Sequence, residues 1–389
     1  MNVQPSNNHL PDIAASLRQA IADASSGLIE RETLVELIIL AAVAQEHMLV
    51  IGPPGTAKSV AVHRVAETIG GRYFEYLLGR FTEPNEIFGP VDLRKLKEGV
   101  IETEISGMLP EAEIAFLDEI FQGSTAILNT LLGILNEREF RRGHSRIHCP
   151  LRVCVGASNA LPEDESLAAF ADRFLVRIFV EPIADPMLEQ LLEGGWRLSQ
   201  KPPGRKATMQ DLDRLAEAVR MADMNKVRPL LSHALRLLRG SGILLSDRRA
   251  VKAQFLIAAA AVLGGRSSPA EADLWPLIFV VPTAEQQQVA RETLRDLLTA
   301  TENTTLAAAA EEASAGPRVR AARLLDAGKS ALAAPPAEAA EEGEKQAWRL
   351  KLEGILREID AGLAPEQMSD ELKLVRAEIT EALGEVTEP

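Results

Sequence analysis

Two rhythms of apolar residues alternate through the first half of this chain. Short, almost uninterrupted apolar runs read as strands buried on both faces: Met48–Ile51, Tyr73–Leu77, Ile114–Leu117, Arg152–Ala157 and Leu175–Phe179. Between them the apolar positions recur at helical spacing, so Ser59–Ile69 and Ala126–Asn136 read as helices. The second places Ile127, Leu128, Leu131, Leu132 and Leu135 on one face. Two helices precede the first strand, Ile13–Ala24 and Arg31–Ala44, and the latter is so apolar that it should be buried. Strand–helix alternation with apolar strands predicts an α/β fold, a parallel sheet with helices on both faces.

After about Glu193 the strand pattern stops, and Pro202, Pro203 and Gly204 mark a boundary. Met209–Met221, Pro229–Ser241 and Asp247–Leu263 then read as helices of a second lobe. Beyond Pro282 the composition turns to Ala and Glu. Glu285–Thr301 reads as a helix, whereas Ala307–Ala315 and Ala333–Glu344, broken by Pro335 and Pro336, are low-complexity and expected to be partly flexible. Two amphipathic helices close the chain. Leu352, Ile355, Leu356 and Ile359 line one, and Leu372, Val375, Ile379 and Leu383 line the other, after a turn around Pro365. They read as a helical hairpin, with a solvated tail as the alternative. The expected division is an α/β domain over residues 1–197, an all-α lid over 204–282 and a helical, Ala/Glu-rich extension over 283–389.

Composition narrows the classes. The chain has 389 residues, 46% of them hydrophobic, and a net charge of −14. That acidity speaks against nonspecific nucleic-acid binding, which calls for a basic balance. The apolar stretches Leu34–Ala44 and Phe255–Leu263 are too short to span a bilayer, and Met1–Pro11 carries no signal pattern. Two cysteines, Cys149 and Cys154, suit a reducing compartment and read as small buried hydrophobes. A cytoplasmic protein is expected.

The chemistry begins at Ile51-Gly52-Pro53-Pro54-Gly55-Thr56-Ala57-Lys58-Ser59, between the first strand and a helix. A strand, a Gly/Pro loop and a helix N-terminus make a phosphate cradle: backbone N–H groups approach the anion and the helix dipole favours it. Lys58 would reach the outer phosphates and Ser59 a Mg²⁺ ion. The phosphate-loop pattern has Gly where Ala57 stands; alanine adds only a methyl, which fits the loop if φ stays negative there. An ordinary Gly/Pro turn is the bland alternative. Ile114–Leu117 runs into Asp118-Glu119, at the strand end that faces the ligand crevice of a parallel sheet. Asp118 would hold Mg²⁺ and Glu119 would orient the attacking water, against the alternative of a solvated strand end. Arg152–Ala157 ends at Asn159, placed for the γ-phosphate or the water, or else a turn former. Asp172-Arg173 precedes the last strand, where Arg173 is either a finger reaching a neighbour's nucleotide or an ion-paired surface residue. Ser246 reads as an N-cap, and a cation in the helix turn after it is disfavoured by the dipole, which hints that Arg248, or alternatively Arg249, serves a ligand anion. Residues 91–109, with turn signals at Glu98-Gly99 and Ser106-Gly107, and Phe140–Ile147, with its basic tip of Arg141, Arg142 and Arg146, read as hairpins. No Asn-Lys-x-Asp tetrad, no paired Cys/His spacing and no Gly-x-Ser-x-Gly elbow is present, and none of the six histidines receives a role.

In this order the pieces resemble the AAA+ ATPases, specifically the MoxR group and within it the regulatory ATPase variant A (RavA) subgroup. The likeness is carried by Gly52–Ser59, Arg80-Phe81 to Phe88-Gly89-Pro90, Leu109-Pro110-Glu111-Ala112-Glu113, Phe116–Ile120, Ala126–Leu132, Asn136-Glu137-Arg138, Ala157-Ser158-Asn159 and Ser246–Arg249. It implies an AAA+ αβα domain with a helical lid, homo-hexameric rings, and ATP with Mg²⁺ at subunit interfaces. By that resemblance Gly52, Pro53, Pro54, Gly55, Thr56, Ala57, Lys58, Ser59, Val60 and Asp118 bind the nucleotide, and Ser59 and Asp118 the metal. Asp118 and Glu119 are the Walker B pair, Asn159 is sensor 1, Arg173 the finger supplied to a neighbour, and Arg248 the sensor 2. Residues 91–109 and 137–150 match the helix-2 insert and the pre-sensor hairpin. MoxR-like proteins remodel protein clients, commonly with a von Willebrand factor A-domain partner. The chain departs from the larger relatives in its tail, where no strand pattern matches their β-rich insertion. Three functions follow: a ring motor acting on a client, an ATP-gated scaffold recruiting a partner through the C-terminal helices, and, against the acidic charge, a nucleic-acid translocase.

Overall fold

The computed structural model describes residues 10–97, 102–142, 145–200, 203–315, 317–336, 342–362 and 368–384. The turn signal Glu98-Gly99, the hairpin tip Gly143-His144, Pro202, Pro365 and much of the Ala333–Glu344 stretch lie outside them. Two compact units emerge, Met1–Glu181 with Lys201–Ser314, and Pro182–Gln200 with Ala315–Pro389.

The first unit is built on a five-stranded sheet. Its strands are β1 (Met48–Ile51), β2 (Tyr73–Leu77), β3 (Ile114–Asp118), β6 (Val153–Ser158) and β7 (Val176–Phe179), in the order β2-β3-β6-β1-β7. Every pairing in it is parallel. β1 and β6 are buried along their whole length, as expected of strands covered on both faces. On one face Leu49, Leu117, Cys154 and Phe174 pack with Ile127, Leu131 and Leu135 of the helix Thr125–Glu137. The helix Glu32–Ala44 is buried from Leu34 to Ala44 and touches β6, β7 and the helices Leu10–Ser25, Lys58–Ile69, Met209–Met221 and Asp247–Leu263. Its hydrophobicity all round follows from being enclosed all round. The helices Met209–Met221, Val227–Gly240 and Asp247–Leu263 share this unit with the sheet. β4 (Glu139–Arg142) and β5 (Ser145–His148) form the antiparallel hairpin read from the basic segment. Among the described residues of 91–109 there is no strand pair. A helix, Leu93–Lys97, follows a single bridge between Val91 and Thr103.

The low-complexity stretch Ala307–Ala315 takes regular structure. It is a helix with Ala309, Ala310 and Ala313 buried. Glu36, buried on the helix Glu32–Ala44, accepts from the amides of Ala308 (3.3 Å) and Ala309 (2.7 Å) at its N-terminus. A carboxyl group there satisfies orphan amides at the helix N-terminus.

In the second unit the expected hairpin of two C-terminal helices is a bundle of three. Pro317–Ala333, Glu342–Gly362 and Asp370–Leu383 enclose Leu324, Leu352, Ile355, Ile359, Leu372, Val375 and Ile379. Gly328 permits the closest crossing, since a Cβ there would lie 2.5 Å from Val375 Cγ1. Arg376 clasps Asp360 at 2.7 Å across two of the helices. Among the described residues no helix is long and apolar enough to cross a membrane.

Candidate functional site

Register decides which residues meet. Ile51 stands level with Ser158 and Phe179, and Leu77 with Asp118. Gly52, Glu119, Asn159 and Val180 therefore leave the sheet along one edge, the carboxyl ends of parallel strands, where open α/β sheets bind ligands.

The loop at that edge is shaped by three constraints. Gly52 lies against the backbone leaving β7, and a Cβ there would fall 2.2 Å from the carbonyl oxygen of Val180. Thr56 Oγ1 donates to the Pro53 carbonyl at 2.9 Å and closes the turn. Gly55 and Ala57 both take positive φ, 79° and 60°. The condition of a negative φ at Ala57 is thus not met. Ala57 adopts the left-handed backbone that glycine supplies in the phosphate-loop pattern, at about 1–2 kcal/mol for a residue with a Cβ. Ala57 is the residue from which the helix Lys58–Ile69 starts, a place where the backbone is ordinarily extended, as it is at Ser124, Asp164 and Thr208. Left-handed residues in such a turn direct successive amides into a concavity of the kind that holds anions.

Lys58 is buried, and its Nζ donates to the carbonyls of Gly52 (2.6 Å) and Pro53 (3.2 Å). Burial lowers its pKa, while the nearby charges of Asp118 and Glu119 oppose that shift. Lys58 thus sits between the loop and the acidic end of β3. Asp118 closes β3, and its Oδ1 accepts from the Glu119 amide at 3.0 Å. Glu119 is left-handed, with φ 49°. Its Oε1 accepts from Asn159 Nδ2 at 2.8 Å, across the β3–β6 pair. Lys58, Asp118, Glu119 and Asn159 come together as the sequence expects.

These residues fit a Mg²⁺–nucleotide. An amide-lined loop, a buried ammonium, a hydroxyl in the first helical turn and a carboxylate at the neighbouring strand end are the donors that phosphates and a hard cation require. Among the described residues no group of three or more His, Cys, Asp or Glu could hold a metal unaided. Mg²⁺ at Ser59 and Asp118 would share its shell with phosphates and water, as this ion commonly does.

The arginines lie elsewhere. Arg173 follows the helix Glu165–Ala171 and precedes β7, with its Nη1 donating to the Ala169 carbonyl and its buried Nε without a protein partner. Arg248, in the first turn of Asp247–Leu263, donates to Asn136 Oδ1 at 2.7 Å. Burial lowers its pKa, and the proximity of Arg173 lowers it further, so the two guanidinium groups are neighbours. β7 runs parallel to β1, so residues entering β7 stand at the sheet edge opposite to residues leaving β1. A four-residue strand separates those edges by about 13 Å. Arg249, the alternative to Arg248, is 1% exposed. Its guanidinium is spent on the carbonyls of Val280 (2.9 Å), Phe174 (3.1 Å) and Leu175 (2.6 Å) and on Asp172 (3.3 Å), a structural role. At the hairpin, Arg141 pairs with Glu137 and Glu139, and Arg142 donates to Gly89 O and Asn85 Oδ1.

Pattern reading passed over Arg31, whose buried Nε donates to the Thr56 carbonyl inside the loop at 2.9 Å. The signal was available: like Arg248, it is a cation at a helix N-terminus, where the dipole disfavours it.

Comparison with known proteins decides the lineage. Residues 15–217 match the family described as the MoxR domain in the MoxR-vWA-beta-propeller ternary systems. The chain belongs to the MoxR family. An uncharacterized protein of Methanocaldococcus jannaschii is 35% identical over 266 residues, 68% of this chain and 70% of its own length. Chaperone MoxR1 of Mycobacterium tuberculosis is 28% identical over 208 residues, 52% of this chain and 54% of its own. A solved structure from Cytophaga hutchinsonii, provisionally called an ATPase, superposes with a TM-score of 0.61 at 15% identity, over 76% of this chain and 97% of its own. At that identity the likeness speaks for the fold, which is the α/β architecture expected of a MoxR protein.

Proposed function

We propose that this MoxR protein hydrolyses ATP in a ring of identical subunits and uses the cycle to remodel a client protein complex. The observation that carries the reading is the division of labour across the sheet. Lys58, Asp118, Glu119 and Asn159 converge at one edge, while Arg173 and Arg248 pair at the other. Lys58 and the loop amides bind and neutralise the phosphates, and Asn159 holds the Glu119 carboxylate in place. Glu119 orients the attacking water, and Asp118 with Ser59 holds Mg²⁺, which when bound adds positive charge against the phosphate oxygens. Both arginines serve the site of the neighbouring subunit. Arg248 therefore joins Arg173 in trans rather than closing over its own nucleotide. Membership of the RavA subgroup is part of the proposal and rests on the motif runs alone.

The matched family supports a von Willebrand factor A-domain partner, with a β-propeller protein as third member. The curated relative called a chaperone supports remodelling as the outcome. Two buried free cysteines suit a reducing cytoplasm. Steady-state ATPase assays test the reading: Lys58→Ala loses nucleotide binding, and Glu119→Gln binds ATP with turnover reduced by about 10²–10⁴-fold. Normal turnover by Glu119→Gln would sink the assignment. The separately folded C-terminal bundle favours a second reading, an ATP-gated scaffold. Client-stimulated hydrolysis speaks for the motor, and nucleotide-dependent partner binding without stimulation for the scaffold.

A further inference from the structure

Arg31 is 5% exposed and stands one residue ahead of the most deeply buried helix in the first unit. Its guanidinium donates to three backbone carbonyls, with the charges of Glu30 and Glu32 nearby. Nε donates to the Thr56 carbonyl at 2.9 Å, Nη1 to its neighbour Glu30 at 2.7 Å, and Nη2 to the Glu181 carbonyl at 2.7 Å. Two of these contacts bind distant parts of the chain together. Thr56 lies inside the Gly52–Ser59 loop, and Glu181 is the last residue of the strand exit against which Gly52 is packed.

The contact with Thr56 has a directional consequence. The Thr56 carbonyl and the Ala57 amide belong to one planar peptide unit and point in opposite directions. Fixing the carbonyl on Arg31 therefore fixes the amide away from Arg31. Ala57 is also the residue that holds a left-handed backbone without the freedom of glycine. Charge-assisted hydrogen bonds are the shorter and stronger kind, suited to holding such a conformation in a buried place.

We propose that Arg31 is a positioning residue of the phosphate loop: it clamps the Thr56–Ala57 peptide so that the Ala57 amide faces the bound phosphate, and it does for Ala57 what glycine does by itself in loops of this pattern. The proposal rests on the reading of this loop as a nucleotide cradle. Arg31 touches neither nucleotide nor water. It acts through the peptide it holds, and the Glu181 contact anchors that peptide to the exit of β7.

Calorimetric binding of a non-hydrolysable ATP analogue with Mg²⁺ tests it, using the full chain. Arg31→Met weakens binding at least tenfold. The charge-keeping Arg31→Lys, which cannot reproduce the guanidinium fork, loses about threefold. Adding Ala57→Gly to Arg31→Met recovers at least threefold, because glycine adopts the loop conformation unaided. In steady-state assays the loss falls on KM more than on kcat, whereas general damage to the fold moves both and is not repaired at position 57. Wild-type affinity in Arg31→Met overturns the clamp, as does a double variant that binds no better than Arg31→Met. Should Arg31→Met fail to fold, wild-type affinity in Arg31→Lys overturns it. Failure of the unaltered protein to bind the analogue would instead remove the nucleotide reading beneath the proposal.

Discussion

Ala57 shows how far a single side chain can be read from a sequence. It stands where the loop pattern has Gly, and its backbone could not be deduced from its name. The left-handed conformation with which it opens the helix Lys58–Ile69 is visible only in the fold. Glycine at that position relieves the Cβ clash yet adds freedom to the unfolded chain. Ala57→Gly should therefore leave stability within about 1 kcal/mol, while the β-branched Ala57→Val should lose about 1–3 kcal/mol, both read from denaturant midpoints. Lys58, Asp118, Glu119 and Asn159 were legible because each ends or follows an apolar strand at the ligand-binding edge. Arg31 showed only as a cation at a helix N-terminus, because its partners are carbonyls at positions 56 and 181 and no local pattern records so distant a contact. Arg248 and Arg249 are adjacent in sequence, and the fold alone separates the one within reach of Arg173 from the one sealed against Val280 and Asp172.

Elements follow the same division. The central strands β1, β3 and β6 were readable almost to the residue because burial on both faces leaves unbroken apolar runs, whereas the edge strand β2 is half-exposed and carries Glu75. β6 begins at Val153 rather than Arg152, whose side chain leaves the strand to bind Asp213 at 2.6 Å. The helix Ala307–Ala315 escaped because alanine signals composition before it signals burial, and its anchor, Glu36, lies 272 residues away. That anchor makes a pH prediction. Burial outweighs the two amide donors and pushes Glu36 up to about 7 from 4.5. An acid raised in the folded state stabilises most when protonated, so its contribution is full below 4.5 and is lost as pH rises through 7. At 1.36 kcal/mol per unit the window is worth about 3 kcal/mol at most. Glu36→Gln, which stays neutral, should flatten it: the stability difference between wild type and variant should shift in favour of wild type from pH 8 to pH 5. No change in that difference would show that Glu36 titrates as an ordinary surface acid.

Across the whole molecule the decisive fact is that the parallel sheet has two edges, and that the cations able to complete a phosphoryl-transfer site are divided between them. On the proposed reading a subunit carries half of each of two sites, which is the physical reason for expecting a ring. Arginine fingers are worth about 10³–10⁵-fold in turnover. Arg173→Ala and Arg248→Ala should therefore bind ATP near normally and hydrolyse it at a small fraction of the wild-type rate. The acidic net charge of −14 and the ion-paired Arg141 leave little for a nucleic-acid backbone to hold. A low-salt gel shift lost on joint substitution of Arg141 and Arg142 would reverse that judgement. The central claim, that each site is completed by a neighbour, is met most directly by mixing two inactive proteins. Lys58→Ala retains Arg173, and Arg173→Ala retains Lys58, so mixed assemblies contain interfaces with both. The predicted result is ATP hydrolysis in the mixture that neither variant shows alone. The contradicting result is wild-type turnover by Arg173→Ala by itself, which would place a complete site within one subunit.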